Sequence, residues 1–140
     1  MVPSDLENFV YDASLAWYEG KLIIGQDEIL LYLSAETDGQ AMLILSQAES
    51  FLKSIQGMLS AAKSYAAEKL LDLRNEGWGE ENSSEISEEE FISCLVCFSI
   101  TLYPTQNVEI IFRAGDLFSG HIVLISANMQ GRFSDASIAG

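Results

Sequence analysis

The chain has 140 residues, 49% of them hydrophobic, and its 21 Asp and Glu against 7 Lys and Arg give a net charge of −14. This length and hydrophobic content predict a single domain over residues 1–140. The charge excludes nucleic acid as a partner, because binding phosphates requires clustered Lys or Arg; it predicts either high solubility alone or attraction of a basic protein.

The composition also indicates a compartment. Polar residues interrupt every apolar run before it reaches the roughly 20 residues of a membrane helix, so no membrane partner is expected. Residues 1–10 contain no Lys or Arg and therefore lack the basic region of a signal peptide. Cys94 and Cys97 are the 2 cysteines, too few for the disulfide framework of a small secreted protein. We therefore expect a cytoplasmic protein.

The first quarter of the chain has β-like patterning. Runs of β-branched and aromatic residues at 8–11 and 15–18, the second closed by Gly20, predict a hairpin. Residues 27–35 are apolar over five consecutive positions, 29–33, which predicts a central strand covered on both faces.

From Gly39 to Glu76, small and apolar residues recur at steps of three and four, the period of an amphipathic helix. A straight helix of this length would measure about 55 Å, whereas a domain of this size has a radius of gyration of about 14 Å. A bend or break is therefore predicted near Gly57, which leaves either one long bent helix or a helix pair.

The remainder begins with a predicted loop at residues 77–85. Ser87 and Glu90 form a capping-box pattern, so a short helix is expected to begin at Ser87. Four strand candidates follow, at residues 94–102, 107–113, 119–127 and 132–138. The fold prediction is α+β: an antiparallel sheet, made of the N-terminal hairpin, the central strand and a C-terminal four-strand meander, packed against a long bent helix or a helix pair.

Four segments carry a resemblance to a known family: LLDLRNEGW at 70–78, ISEEEF at 86–91, GDLFSGHIVLIS at 115–126 and GRFSDASIAG at 131–140. In this order, after an opening hairpin with a Trp, they resemble the bacterial family called domain of unknown function 2262, and the resemblance spans most of the chain. It implies a small bacterial cytosolic domain and no particular reaction.

Catalytic candidates centre on His121, the single histidine, through which any triad or proton shuttle would pass. The pattern places His121 inside a strand, on the same face as Val123, which favours a structural role. The alternative is a pocket in which His121 meets Asp116, with Asp72 and Asn75 supplied by the end of the helical region.

No metal or cofactor is predicted. Cys94, Cys97 and His121 are the only Cys and His residues, so they could supply at most three ligands, and a lone Cys-x-x-Cys is a weak signal. No phosphate loop, dinucleotide fingerprint, calcium loop or nucleophile elbow occurs in the sequence.

A binding role is suggested by the acidic stretch around Trp78. That side chain could cover the helix end or stand exposed as an interface anchor, since Trp is enriched at binding hot spots. The predicted binding residues are Trp78, Glu80, Glu81, Glu88 and Glu89.

The sequence is compatible with three functions, and it favours a protein without enzymatic activity. The first hypothesis is a non-enzymatic protein-binding module, for example an immunity-like protein that masks a basic partner. The second is a small hydrolase or ligand-binding domain that uses Asp72, Asn75, Asp116 and His121. The third is a structural accessory domain.

Overall fold

A computed structural model describes residues 10–12, 17–24, 27–35, 37–78 and 85–139. Its elements are β1 Val10–Asp12, β2 Trp17–Ile24, β3 Asp27–Ser34, α1 Asp38–Leu52, α2 Ile55–Leu73, a π-helical turn Arg74–Trp78, α3 Glu88–Ser93, β4 Val96–Leu102, β5 Asn107–Arg113, β6 Ile122–Asn128 and β7 Phe133–Ala139. The α+β class is confirmed. None of the described helices is long and apolar enough to cross a membrane.

The strands of the described ranges form one seven-stranded sheet in the order β1 to β7. The C-terminal meander β4 to β7 is antiparallel, as predicted. The prediction of an antiparallel sheet is wrong at one place, because β3 and β4 pair in parallel. The described helices α1 to α3 separate these strands in the sequence, and such a crossover returns the chain to the end of the sheet at which β3 begins, so that β4 runs parallel to it.

The second strand, β2, extends further than predicted. Gly20 does not close a strand: it pairs with Leu31 in the middle of β2, and the pairing with β3 continues to Ile24. The eight residues of β3 provide a full partner for the eight residues of β2, and this long ladder outweighs the weak β preference of one glycine.

The helical region breaks, but earlier than predicted. α1 ends at Leu52 and α2 begins at Ile55; between them Ser54, with φ −117° and ψ 15°, leaves helical geometry, whereas Gly57 lies inside α2. The Phe51 carbonyl accepts hydrogen bonds from both the backbone N–H and the hydroxyl of Ser54, at 3.1 and 3.3 Å, which closes the last turn of α1. A glycine inside a helix costs only about 1 kcal/mol, so Gly57 is tolerated there.

The core lies between the helices and one face of the sheet. α1 contacts β3, and α2 contacts β6 and β7. The buried side chains alternate along the strands, as in Val108, Ile110 and Phe112 of β5. The prediction that the central strand is covered on both faces is wrong. Alternate residues of β3, such as Leu30 and Tyr32, are only half-buried on the face of the sheet that points away from the helices.

Candidate functional site

The predicted catalytic residues differ in exposure. Asp72 and Asp116 are exposed, whereas Asn75 and His121 are half-buried. The Asn75 side chain amide is occupied by the backbone of Ile86: Nδ2 donates to the Ile86 carbonyl at 3.2 Å, and Oδ1 accepts from the Ile86 N–H at 3.0 Å. Oδ1 also accepts from Arg74 Nη1 at 3.0 Å. Asn75 therefore ties the π-helical turn to the segment that leads into α3, which is a structural task.

His121 does not lie inside a strand, so that prediction is wrong. It occupies the last position of the turn before β6, where its backbone N–H donates to the Phe118 carbonyl at 3.0 Å. Ser119 and Gly120 have φ of +54° and +85°. Because positive φ is incompatible with extended pairing, the strand cannot include Ser119 or Gly120, and it begins at Ile122.

We predict that Asn75→Ala loosens α3. The substitution removes three hydrogen bonds, two of them to the Ile86 backbone, so we expect the free energy of unfolding to fall by about 2 kcal/mol. If α3 opens without the rest of the protein unfolding, its amides should exchange about thirtyfold faster. Hydrogen exchange followed by NMR would measure this, with Gln56→Ala, an exposed amide on α2, as the control. Unchanged exchange in α3 would contradict this role for Asn75.

The cysteines lie on either side of the junction between α3 and β4. Cys94 is the C-cap of α3 and Cys97 is buried in β4; both are free thiols. Burial raises the pKa of Cys97 to about 12, with smaller opposing effects from Lys63, which lowers it, and Asp27, which raises it. Within the described ranges, no three His, Cys, Asp or Glu residues are grouped so that they could hold a metal ion.

The structure describes part of the predicted acidic binding segment. Glu80 and Glu81 lie outside the described residues, and Trp78 is described only in its backbone, as the end of the π-helical turn. Glu88 and Glu89 are exposed in the first turn of α3. The predicted capping box is confirmed: the Glu90 N–H donates to Ser87 Oγ at 3.1 Å, and the Ser87 N–H donates to Glu90 Oε1 at 3.4 Å.

The sheet face opposite the helices, here called the open face, was missed from the sequence. Its central row of paired residues is Lys21, Leu30, Ser99, Ile111, Leu124 and Ser137. We call the half-buried Leu30, Ile111 and Leu124 of this row the apolar row. The sequence could have indicated the apolar row, because β3, β5 and β6 carry large apolar residues at positions that point to either face of the sheet.

A second row on the open face is acidic. It runs through Glu19, Tyr32, Thr101, Glu109, Ser126 and Asp135, one residue from each of β2 to β7. We call Glu19, Glu109 and Asp135 the acidic row; this row contains no base. The apolar row and the acidic row are neighbours, since Leu30 and Tyr32 are two residues apart on the same face of β3.

The basic residues of the open face already have partners. Lys21 Nζ lies 3.2 Å from Glu28 Oε1, and the Arg113 guanidinium lies 4.5 Å from the centre of the Phe98 ring. The acidic row therefore keeps a net negative charge that these bases do not neutralise.

Two tyrosines accompany the acidic row. Burial, with a smaller effect from Glu19, raises the pKa of Tyr32. Burial also raises the pKa of Tyr103, followed by the charge of Glu109 and by the hydrogen bond that the Tyr103 hydroxyl donates to that carboxylate. Both phenols therefore stay protonated at neutral pH and present an aromatic ring with a hydroxyl donor beside the carboxylates.

Two depressions open on this region. One, of about 500 Å³, is lined by Glu19, Gly20, Lys21, Leu30 and Tyr32. The other, of about 400 Å³, is lined by Lys21, Asp27, Glu28, Leu30, Val96, Cys97, Phe98 and Arg113. In the second depression Arg113 already lies over the Phe98 ring and Lys21 already pairs with Glu28. The first, with the Glu19 carboxylate beside the Tyr32 ring, can receive a protruding cationic side chain of a protein.

Comparison with known proteins identifies a family. Residues 3–138 match a family described as an uncharacterised protein conserved in bacteria, domain of unknown function 2262. No curated protein and no solved structure matches the chain. The resemblance inferred from the four sequence motifs is thereby confirmed, and the family description assigns no reaction, ligand or partner.

Proposed function

Because this chain belongs to the bacterial family domain of unknown function 2262, whose description assigns no activity, we propose a function from the geometry of the sheet. The protein is a non-enzymatic module that binds a basic protein through the open face. The observation that carries this proposal is the pairing of the apolar row with the adjacent acidic row.

The dimensions of the open face support a protein partner. Six strands at about 4.8 Å spacing and seven residues at about 3.4 Å give an area on the order of 700 Å². A stable interface buries about 800 Å² on each partner, so this face with its margins is of the right size. Leu30, Ile111 and Leu124 supply the apolar centre, and the acidic row lies beside them.

The charge supports a basic partner and not a second copy. Each chain carries −14, so two copies repel one another, whereas a basic protein is attracted over a distance comparable to the Debye length. We also propose that Glu80, Glu81, Glu88 and Glu89 help to attract this partner and that Trp78 contacts it.

The proposal places the module in the cytoplasm. Cys94 and Cys97 are free thiols, which suits a reducing compartment. A masking role, as in an immunity-like protein, would fit a cytoplasmic module that neutralises a basic protein made or imported by the same cell.

The test of the apolar row uses Ile111→Lys with Leu124→Lys. The control is Met42→Lys with Leu43→Lys, which makes the same charge change at exposed apolar residues of α1. We expect a basic protein captured from the native bacterium, and then purified, to bind wild type and control alike and to bind the open-face variant at least thirtyfold more weakly.

The acidic row is tested by salt dependence. Glu19→Gln, Glu109→Gln and Asp135→Asn together should lower the association rate with the same purified protein tenfold or more at low salt, and the difference should shrink as salt increases. The matched control also converts two Glu and one Asp to their amides, at exposed positions outside the sheet: Glu49, Asp72 and Glu76. The proposal fails if the captured protein is not basic, or if the open-face and control variants bind equally.

A further inference from the structure

The last strand of the sheet has a free edge. In the described chain, β7 pairs with β6 and with no other strand. No residue of β7 is buried, whereas β4, β5 and β6 each bury every second side chain or more. Within the described residues, no strand pairs with the backbone N–H and C=O groups on the outer edge of β7, so these groups can pair with a strand of another protein.

β7 has only part of the usual protection of an edge strand, namely the charge of Asp135 and an irregularity near its start. Its sequence, Phe-Ser-Asp-Ala-Ser-Ile-Ala, contains neither Lys nor Pro. The one irregularity in its pairing lies near its start, between Ser126 and Ala127 of β6, so the stretch from Asp135 to Ala139 is regular. Its helix-facing residues Ala136 and Ile138 pack on the core but stay partly exposed, because no strand lies beyond them.

A groove with two carboxylates adjoins this edge. It has a volume of about 700 Å³ and is lined by Ala61, Ser64, Tyr65 and Glu68 of α2, Glu88 of α3 and Phe133 of β7. The rings of Tyr65 and Phe133 stack with their centres 5.1 Å apart, which gives the groove an aromatic wall. Glu68 and Glu88 are both exposed.

The charge of the groove is complementary to a cation. Its lining contains Glu68 and Glu88 but no base. Lys69 contacts its aromatic wall, with Nζ 5.6 Å from the centre of the Tyr65 ring. A guanidinium or ammonium group in the groove would meet two carboxylates and the edge of an aromatic pair, an arrangement that stabilises cations.

We propose that β7 accepts an extended, basic segment of a partner protein as an eighth strand, with one Arg or Lys side chain of that segment in the groove between Glu68 and Glu88. Backbone hydrogen bonds to β7 supply the pairing, and the groove supplies the preference for a cationic side chain. This acceptor goes beyond the proposed open-face function, since it uses the sheet edge and the helix side. A second copy is not the occupant, because its β7 would bring Asp135 and no base to the edge of another chain of charge −14.

The test uses a capped peptide of alternating Arg and Val as the probe. NMR-detected hydrogen exchange of the full chain is measured with this peptide, with its backbone N-methylated form and with a form in which Glu replaces Arg. We expect the first peptide alone to slow exchange of outward-facing β7 amides tenfold or more, because N-methylation removes strand pairing and Glu is repelled by the groove.

The groove is tested with Glu68→Gln plus Glu88→Gln. The control pair is Glu49→Gln plus Glu76→Gln, two exposed acids that do not line the groove. The groove variant should bind the Arg-Val peptide about tenfold more weakly, and the control should bind as wild type does. Thermal melting checks that each variant is folded; if the double variant is not, Glu68→Gln alone replaces it.

Three outcomes would overturn the acceptor. The first is that the N-methylated peptide binds as tightly as the unmodified Arg-Val peptide, and the second is that the control pair weakens binding as much as the groove variant does. The third is protection of β7 amides that grows with protein concentration in the absence of peptide, which would identify a second copy as the occupant. Peptide-induced changes at Ile111 and Leu124 instead of β7 would assign the probe to the open face, so the acceptor would fail while the proposed function stood.

Discussion

Phe91→Ala is expected to lower the free energy of unfolding by about 3–5 kcal/mol, the usual cost of removing a fully buried phenylalanine ring. Phe91 and Phe118 are both 0% exposed, and their rings meet edge to face with centres 6.0 Å apart. Phe91 is the one buried residue of α3, a helix of six residues. Without that ring, the apolar contacts that hold α3 and the segment before it on the core are those of the partly buried Ile86 and Ile92.

Urea denaturation followed by circular dichroism measures this effect. Ile23→Ala serves as the control, because Ile23 is 78% exposed and its truncation should change stability by less than about 0.5 kcal/mol. A loss below about 1 kcal/mol for Phe91→Ala would contradict the anchoring role. Since Glu88 is carried by α3, the same variant should also weaken binding of the Arg-Val peptide.

Local patterns predicted the local elements well. The capping box at Ser87 and Glu90 predicted where α3 begins, because two reciprocal hydrogen bonds need only the residues within one turn. β5 was predicted with its observed ends, Asn107 and Arg113, since turn residues precede it and apolar and polar residues alternate along it. The amphipathic period predicted the helices of the middle region, and the core accepts their small residues, such as Ala62.

The errors occurred where distant residues decide the structure. Parallel pairing of β3 with β4 depends on how the intervening helices cross the sheet, and no local pattern records that path. Gly20 lies inside β2 because Leu31 pairs with it from the next strand. The strand predicted to begin at Ser119 begins later, because Ser119, a residue with no special preference for positive φ, adopts it in the turn before β6.

Most of the candidate site, the open face, was not predicted from the sequence for a related reason. Large apolar residues in both strand phases, as at Ile110 and Ile111, indicate a strand covered on both faces when a second layer exists. No described helix covers the side that bears Ile111, so the same pattern marks an open face here. Whether a layer covers a sheet is a property of the whole fold, and the sequence of one strand does not contain it.

The Cys97 thiol is expected to react about a thousandfold more slowly in the folded protein than in the unfolded chain. Burial raises its pKa from 9.0 to about 12, so at pH 8 the reactive thiolate is about a thousandfold rarer. Its side chain is also 4% exposed, which limits access of a reagent. A chromogenic disulfide reagent applied to Cys94→Ser, with and without denaturant, measures the ratio; comparable rates would contradict the assigned environment.

The same pKa predicts a stability loss in alkali that depends on Cys97. Between pH 9 and 12 the unfolded chain releases the thiol proton while the folded chain keeps it, so the folded state binds more protons and stability falls as pH rises. The slope assigned to this one group is about 1.4 kcal/mol per pH unit at most. Cys97→Ala should lose less stability than wild type over this range, because titration of Lys and Tyr is common to both proteins. Parallel stability profiles would show that Cys97 ionises equally in both states, and the buried-thiol interpretation would then be wrong.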